Sequence, residues 1–230
     1  MCGDATNPDD ITKLIGKDTI NLILTDPPYG MKTQSKDGVV GDKRYKDLSK
    51  SGVIHAGSPL IRAKEYPLLI GDNSQETARL NYELIKDLTR YKIIWGGQYF
   101  AHFLPINGGW IFWDKQNSGI TYSDGELAWR SWGRKVKRYI HKWNGIIRAG
   151  SRKLNLKSRI HPTQKPVELH MKILEDYSKQ GDTVLDCFAG SGTTLIACEE
   201  TGRKCLTMEI SPEYCDVIID RYNKLKETNN

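Results

Sequence analysis

The sequence has 230 residues, of which 27% are charged and 9% are aromatic, and its formal net charge is +6. This composition is typical of a soluble globular protein and excludes a natively disordered chain. No apolar run reaches membrane-spanning length and the N-terminus has no secretory pattern, so we expect a cytoplasmic protein that makes no membrane contact. The five cysteines lie apart from one another and from the histidines, which predicts reduced thiols and no metal site.

Six apolar segments are predicted to form strands, at residues 20–25, 92–97, 109–114, 136–143, 183–188 and 205–210. Four segments have helical periodicity, namely QETARLNYELIKDL, PVELHMKILEDYSKQG, TTLIACEETG and SPEYCDVIIDRYNKLK. In the first helix we expect Leu80, Leu84 and Leu88 on one apolar face. Because nearly continuous apolar strands alternate with helices, we predict an α/β fold with helices on both faces of a mostly parallel sheet.

One long segment, residues 31–64, interrupts this alternation. It is rich in Gly, Lys, Ser and Asp, has no clear period, and is longer than an ordinary connection. Two interpretations stay open at this point, a mobile lid over the preceding turn and a disordered insert.

A strongly basic segment extends from Arg130 to Ile160, with eleven Lys or Arg residues and no Asp or Glu. Three aromatic rings, Tyr139, His141 and Trp143, alternate with the cations. A solvated basic face would explain the charge, but so long a run without acids favours phosphate neutralisation with some base stacking. The candidate nucleic-acid contacts are Arg134, Lys135, Lys137, Arg138, Lys142, Arg148, Arg152 and Lys153.

The segment VLDCFAGSGTTLIACEETGRKCLTMEI is predicted to form a strand, a glycine turn, a helix and a second strand. Gly190 and Gly192 let backbone amides approach a ligand, and Glu209 is placed to accept hydrogen bonds from a ribose. A dinucleotide would bring its pyrophosphate next to Asp186, which is repulsive. S-Adenosylmethionine has no phosphate, and its cationic methionine end suits Asp186. We therefore predict that ligand, with Phe188 against its apolar edge.

The tetrapeptide DPPY (residues 26–29) directly follows the first predicted strand. If the strands that end near Asp26 and Asp186 are central neighbours, both turns face one crevice. The Asp26 carboxylate and the Pro27 carbonyl could then accept the N–H groups of an adenine amine and localise its lone pair. The prolines aim these acceptors, and Tyr29 offers a face for an extruded base. An ordinary proline-rich turn is the alternative.

Three motifs occur in a characteristic order, namely DPPY (26–29), HPTQKP (161–166) and DCFAGSGTT (186–194). In these motifs and their order the chain resembles the β-group DNA amino-methyltransferases, which make N6-methyladenine or N4-methylcytosine. WDK (113–115) and GD (3–4) also resemble family segments. The resemblance implies one circularly permuted, Rossmann-like, S-adenosylmethionine-dependent methyltransferase domain over residues 1–230, with a seven-stranded doubly wound sheet. It also implies methyl transfer to N6 of a flipped-out adenine in double-stranded DNA, without a metal.

The resemblance assigns roles to individual residues. The implied catalytic residues are Asp26, Pro27, Pro28 and Tyr29. The implied cofactor-binding residues are Asp4, Thr163, Gln164, Lys165, Asp186, Phe188, Gly190, Gly192, Thr193 and Glu209. Among these, Asp4 would accept from the cofactor adenine, and residues 163–165 would line the methionine-carboxylate end, where Lys165 could pair with the carboxylate.

The chain also departs from the family pattern. Cys187 stands where many relatives carry proline, and no large, separate target-recognition domain is evident. Only the 31–64 segment and the basic segment remain to contact DNA. We therefore expect short or relaxed sequence specificity, or the need for a partner or a second copy of the chain. The sequence is compatible with a homodimer and with a restriction-modification or phage context.

Several alternatives stay open from the sequence. The acid at Asp26 favours adenine, because the cytosine-N4 enzymes of the resembled family more often carry serine there. A nicotinamide-dependent oxidoreductase on the same fold is disfavoured by Asp186 and by the DPPY tetrapeptide. A catalytically silent nucleic-acid-binding module and an RNA substrate are further alternatives.

Overall fold

The computed structural model describes residues 1–31, 34–35, 38–39, 70–106, 108–118, 123–144, 147–148 and 164–229. The helices are α1 (Pro8–Ile15), α2 (Glu76–Ile85), α3 (Val167–Tyr177), α4 (Thr193–Thr201) and α5 (Pro212–Asn229). The strands of the main sheet are β1 (Leu22–Thr25), β4 (Lys92–Trp95), β5 (Gly109–Asp114), β6 (Gly125–Arg130), β7 (Val136–Ile140), β10 (Thr183–Asp186) and β11 (Lys204–Thr207). Two short antiparallel pairs are β2 (Gln34–Ser35) with β3 (Gly38–Val39), and β8 (Trp143–Asn144) with β9 (Ile147–Arg148).

The main sheet has seven strands in the order β11-β10-β1-β4-β6-β5-β7. Only β6, among the strands of this sheet, runs antiparallel to its neighbours β4 and β5. The predicted α/β class and the mostly parallel sheet are confirmed. All six predicted strands are present, with shorter bounds in most cases. The seventh, β6, was not predicted, because its sequence GELAWR carries a charged residue near each end and has no continuous apolar run.

The strand order reverses at the middle of the sheet. From β1 the chain continues to β4 on one side, whereas β10, on the other side of β1, continues to β11. The register pairs Leu22 with Val184 and Ile23 with Leu185. The carboxyl ends of β1 and β10 therefore lie side by side at the point where α/β folds place their ligands.

Helices cover both faces of the sheet, as predicted. Leu22 and Leu24 of β1 pack in one core cluster that includes Leu169, Ile173 and Ile196 from α3 and α4. Ile23, between them in sequence, points to the opposite face and packs with residues of α1 and α2, including Ile11 and Ile85. Every residue of β1 is buried, which fits a central strand of a doubly wound sheet.

The face of α2 differs from the prediction. Its buried residues are Ala78, Asn81, Tyr82 and Ile85, whereas Leu80 is 38% exposed. Leu84 and Leu88 pack only partly against the core. The leucine spacing of four residues misled the prediction, because the residues that face the sheet include a polar one, Asn81, which donates 2.8 Å to the carbonyl of Ala5.

Helix α1 was not predicted, although its start carries a recognisable signal. Asn7 caps the helix by accepting from the amide of Asp9 at 2.9 Å, and Pro8 occupies the first helical position. Among the described residues, none of the helices is long and apolar enough to cross a lipid bilayer.

Candidate active site

The turn after β1 and the turn after β10 open into one cavity of about 220 Å³. Thr25, the last residue of β1, donates from its hydroxyl to Asp186 Oδ1 at 2.9 Å, so the two strand ends are joined directly. The cavity is lined by residues of both turns together with residues near the N-terminus and after β11. The lining residues used below are Asp4, Thr6, Asp26, Pro27, Pro28, Tyr29, Asp72, Phe188, Gly190, Glu209 and Ser211.

The glycine turn carries two residues with positive φ, Gly190 at 53° and Gly192 at 76°. The amide of Gly190 donates to Glu209 Oε2 at 2.8 Å, and the amide of Ser211 donates to Glu209 Oε1 at 3.0 Å. Burial raises the pKa of Glu209, while these backbone donors oppose the effect. Glu209 is thus a carboxylate held in place at the cavity wall by the main chain, with acceptor capacity left for a ligand.

Asp186 is almost fully enclosed, with 3% of its surface exposed. Its Oδ1 accepts from Thr25 and from the amide of Phe188 at 3.1 Å. Burial raises the pKa of Asp186 to about 6, and hydrogen bonds from Thr194, Phe188 and Thr25 moderate that rise. A cation brought to this place would stabilise the ionised carboxylate further.

Asp26 lies at the cavity wall with both carboxylate oxygens already hydrogen-bonded. Its Oδ1 accepts from the hydroxyl of Tyr29 at 2.6 Å, and its Oδ2 accepts from the ammonium of Lys165. Burial raises the pKa of Asp26, and the charge of Lys165 opposes this effect. Each oxygen keeps a second acceptor direction, so the carboxylate can still receive an N–H group.

The ring of Tyr29 contacts two aromatic rings and the backbone of one glycine. It stacks on Tyr99 with ring centroids 5.1 Å apart and meets Phe100 edge-on at 6.0 Å. Gly96 has a φ of 69°, and a Cβ there would lie 2.2 Å from Cε1 of Tyr29. The seat of this ring therefore depends on glycine at position 96.

The turn after Tyr29 is anchored by a buried acid that the sequence analysis missed. Asp72 Oδ1 accepts from the amide of Gly30 at 2.9 Å and from the amide of Met31 at 3.2 Å. Gly30 has a φ of 74°, and a Cβ on it would approach the backbone of Ser74 to 2.7 Å. The only sequence signal for this role is the local pair Gly71-Asp72, which also occurs in ordinary turns.

Comparison with known proteins places this site in a family. The family model described as DNA methylase, which covers N6 and N4 methyltransferases, matches residues 60–220. The chain belongs to this family.

The curated relatives that this chain matches include type II methyltransferases. M2.DpnII of Streptococcus pneumoniae is 31% identical over 143 residues, which cover 57% of this chain and 47% of that protein. M.HpaI of Haemophilus parainfluenzae is 23% identical over 228 residues, which cover 91% of this chain and 70% of that protein. The match therefore spans about half the length of the first relative.

Two solved structures of DNA methyltransferases have the same fold as this chain. The complex of M1.HpyAVI with SAM aligns with a TM-score of 0.57 at 22% identity and covers 96% of this chain and 97% of that one. The cytosine-N4-specific PvuII DNA methyltransferase aligns with a TM-score of 0.56 at 14% identity and covers 98% of this chain and 89% of that one.

Eight of the predicted site residues lie together around the cavity. Asp26, Pro27, Pro28, Tyr29, Asp4, Phe188, Gly190 and Glu209 line the cavity. Asp4 accepts from the amide and the hydroxyl of Thr6, at 2.8 and 2.7 Å. Four further candidates are buried but are not among the residues that line the cavity, namely Gln164, Asp186, Gly192 and Thr193. Thr163 lies outside the described residues.

Lys165, the lysine of HPTQKP, lies beside the DPPY turn. Its ammonium contacts Asp26 and lies 3.4 Å from Glu126 Oε2 and 3.4 Å from the hydroxyl of Tyr29. The expectation that Lys165 pairs with a cofactor carboxylate stays a prediction, and the structure shows that two carboxylates of the chain itself, Asp26 and Glu126, already contact the ammonium. Glu126 was missed because it lies on β6, the strand that the sequence analysis did not predict.

The part of the basic segment from Arg130 to Asn144 is described, and it includes β7 at one edge of the sheet. Arg134, Lys135, Lys137 and Arg138 are exposed, and Lys142 is partly exposed. Lys137 lies 3.2 Å from Asp176, and Arg138 pairs with Asp114. The side chain of Arg148, together with Arg152 and Lys153, lies outside the described residues.

The aromatic rings of this segment do not stand among the exposed cations. Tyr139, His141 and Trp143 are 6%, 6% and 5% exposed, and Tyr139 and Trp143 belong to the main core cluster. Tyr139 also donates its hydroxyl to Asp176. The predicted base stacking on these rings is wrong, because all three are buried in the protein and leave no exposed ring face for a base.

Proposed function

We propose that this chain is an S-adenosylmethionine-dependent DNA methyltransferase that transfers a methyl group to N6 of a flipped-out adenine in double-stranded DNA. The observation that carries the proposal is the single cavity shared by Asp26 and its Pro-Pro-Tyr turn with the Gly190 turn and Glu209. A polar turn that recognises an amine and a turn that recognises a nucleoside then face the same space.

The cavity suits S-adenosylmethionine by its chemistry. Glu209 offers carboxylate oxygens for ribose hydroxyls, and Asp186 lies buried beneath the glycine turn as a counter-charge for a cation. Gly190 and Gly192 have positive φ and carry no side chain, so a ligand can approach the backbone of the turn at these two positions. Asp4 also lines the cavity and would accept from an adenine amine of the cofactor. When bound, the cofactor supplies the methyl group of its sulfonium.

The residues of the chain act on the target base. The Asp26 carboxylate accepts an N–H of the exocyclic amine, and the Pro27 carbonyl accepts the other. Both acceptors make the nitrogen lone pair more available for attack on the methyl carbon. The proton that the amine loses on methylation would pass to solvent, which reaches the 20% exposed side chain of Asp26. Tyr29 lines the cavity and would offer its ring to the extruded base, a contact worth about 1–3 kcal/mol.

Cytosine N4 is the second candidate target. It is supported by the fold likeness to a cytosine-N4-specific enzyme, but that fold is common to both activities. Adenine is favoured by the acid at Asp26, since the resembled cytosine enzymes more often carry serine there. The exposed cations Arg134 and Lys135 on the approach to β7 are the proposed contacts with the DNA backbone.

The experiment that tests the proposal is transfer of isotopically labelled methyl groups from S-adenosylmethionine to unmethylated DNA, followed by nucleoside mass spectrometry. We expect label in N6-methyladenine. Label in N4-methylcytosine alone would show that the target base is cytosine and that the chain is still a DNA methyltransferase. Label in RNA but not in DNA would show that the substrate is RNA. Thermal stabilisation by NAD but not by S-adenosylmethionine would reject the proposed function.

A further inference from the structure

Four charged side chains form a chain of contacts that begins at Asp26 in the cavity wall. Lys115 pairs with Glu126 Oε1, the other oxygen of Glu126 lies 3.4 Å from the ammonium of Lys165, and Lys165 pairs with Asp26. The signs of the charges alternate along the whole chain. The four residues come from four places in the fold, after β5, on β6, before α3 and after β1, so this arrangement exists only in the folded protein.

Lys165 is the most enclosed member of this chain. Its side chain is 4% exposed, whereas those of Asp26 and Glu126 are 20% and 30% exposed. Its ammonium also lies 5.0 Å from the centre of the Trp95 ring. A buried ammonium is strongly unfavourable unless it is paired. Burial works against its charged form, but Asp26 and Glu126 outweigh burial and raise the pKa of Lys165.

We propose that Lys165 is a positioning residue for the methyl transfer, whose ammonium orients the Asp26 carboxylate and keeps it ionised, and that Glu126 tunes this pairing by competing for the same ammonium. This inference rests on the proposed methyltransferase function. Under this proposal the lysine of HPTQKP acts on the carboxylate that binds the target base, whereas the resemblance implied that it pairs with the carboxylate of the cofactor.

The chemistry requires Asp26 in its ionised form. A protonated carboxyl would donate a hydrogen bond from one oxygen, and it would accept a much weaker hydrogen bond from the amine of the base. Burial favours the protonated form, Lys165 favours the ionised form, and Glu126 favours the protonated form by repulsion. Tyr29 donates to the ionised form, and Asp186, on the neighbouring strand β10, is the other acid close enough to interact with it.

The proposal predicts opposite pH shifts for two substitutions. In Lys165→Met the Asp26 carboxylate loses its counter-charge, so the acidic limb of the kcat–pH profile moves to higher pH. We expect the ratio of kcat at pH 6 to kcat at pH 9 to fall by about tenfold or more. In Glu126→Gln a competing negative charge is removed at nearly constant shape, so the acidic limb moves to lower pH. Lys165→Arg keeps the charge and is expected to restore most of the wild-type profile.

The titration of Asp26 can also be followed without turnover. The carboxyl carbon of Asp26 is observed by NMR in protein labelled with ¹³C-aspartate and is assigned by its absence in Asp26→Asn. Its midpoint should move to higher pH in Lys165→Met and to lower pH in Glu126→Gln. Lys204→Met is the control, because Lys204 lies on the edge strand β11 and pairs with Asp18, and it should leave both the titration and the kcat profile unchanged.

The outcomes separate this inference from the proposed function. If the wild type methylates no DNA but the titration midpoints move as expected, the function fails and the pairing holds. If the wild type is active but the two substitutions move the midpoint in the same direction, or not at all, the inference is overturned. A weaker Kd for S-adenosylmethionine in Lys165→Met with an unmoved midpoint would also overturn it, in favour of a cofactor role. If Lys165→Met does not fold, the direction of the Glu126→Gln shift decides.

Discussion

The hydroxyl of Thr25 donates a hydrogen bond of 2.9 Å to the carboxylate of Asp186, although 161 positions separate the two residues in the sequence. Thr25 directly precedes the DPPY turn, and Asp186 directly precedes the glycine turn. This contact joins the turn that is proposed to hold the target amine to the turn that is proposed to hold the methyl donor. Small changes at either strand end are therefore expected to affect both.

Replacement of Asp26 is expected to abolish methyl transfer and to spare cofactor binding. Asp26→Asn keeps the shape and most hydrogen bonds, so kcat should fall by at least about 100-fold with a Kd for S-adenosylmethionine near that of the wild type. Asp26→Ala should have the same effect on activity and should also lower stability by about 3–5 kcal/mol, because it leaves the ammonium of Lys165 buried without this partner. Single-turnover kinetics and calorimetry measure the two effects, and an active Asp26→Asn variant would refute the assigned role.

Replacement of Glu209 should act on cofactor affinity. Glu209→Gln keeps an acceptor oxygen for the amide of Gly190 but loses the charge, and we expect the Kd for S-adenosylmethionine to rise by about 10- to 100-fold. The maximal rate at saturating cofactor should change little. Calorimetric titration provides the measurement, and unchanged affinity would remove Glu209 from the ribose site. Glu213→Gln, in the first turn of α5, is a control acid that does not line the cavity.

Asp186→Asn should stabilise the protein without ligand and weaken its binding of the cofactor. Burial raises the pKa of Asp186 to about 6 from an ordinary value of 3.8. Between these two pH values the folded protein holds a proton that the unfolded chain has released, so the contribution of Asp186 to stability falls as pH rises through this window and stays low above it. The substitution should therefore raise the free energy of unfolding by up to about 3 kcal/mol at pH 8 and by much less at pH 4.

Urea unfolding at the two pH values measures this effect. An equal change in stability at pH 8 and at pH 4 would contradict the assignment of the raised pKa to Asp186. In the same variant the Kd for S-adenosylmethionine should rise, because the counter-charge for the cationic end of the cofactor is gone.

Gly96→Ala tests the seat of Tyr29. The new methyl group would lie 2.2 Å from the ring, so the ring must move and kcat should fall by about tenfold or more. Gly181→Ala is a matched control, because its φ of 82° carries the same backbone strain but a Cβ there meets no heavy atom within 4 Å. Both variants should lose similar stability from strain, and only Gly96→Ala should lose activity. Equal activity in the two variants would show that the ring position does not matter.

The exposed cations near β7 should set the salt dependence of DNA binding. Each phosphate contact that is lost lowers the slope of log K against log salt concentration by about 0.9. Lys137 and Arg138 already face Asp176 and Asp114. We therefore expect Arg134→Gln with Lys135→Gln to reduce the slope more than Lys137→Gln with Arg138→Gln.

The control for these variants lies at the opposite edge of the sheet. Lys13 lies in α1 and Lys17 follows it, and α1 packs near β11. Lys13→Gln with Lys17→Gln should leave the slope unchanged. Fluorescence anisotropy with one DNA duplex over a range of salt concentrations compares all three pairs, and equal slopes throughout would move the DNA path away from β7.

The sequence by itself determined the fold class and the nature of the two turns. Apolar runs of strand length are visible without any contact information, and so are glycines before a helix or prolines after a strand. For this reason six strands of the sheet, and the identities of Asp26, Asp186 and Glu209 as site candidates, could be predicted. Strand β6 was not predicted, because it carries charge near both ends. The buried side of α2 was predicted wrongly, because a polar residue, Asn81, faces the core.

Only the tertiary structure decided which groups meet. The pairing of β1 with β10 brings Asp26 and the glycine turn to one cavity, and it arises from strand order, which no local pattern encodes. The same holds for the contact of Lys165 with Asp26, whose residues are 139 positions apart. The sequence does not show whether the ammonium of a lysine is solvated or is paired with a buried acid. Its environment is set by packing between distant elements, and that environment determines what its charge can do.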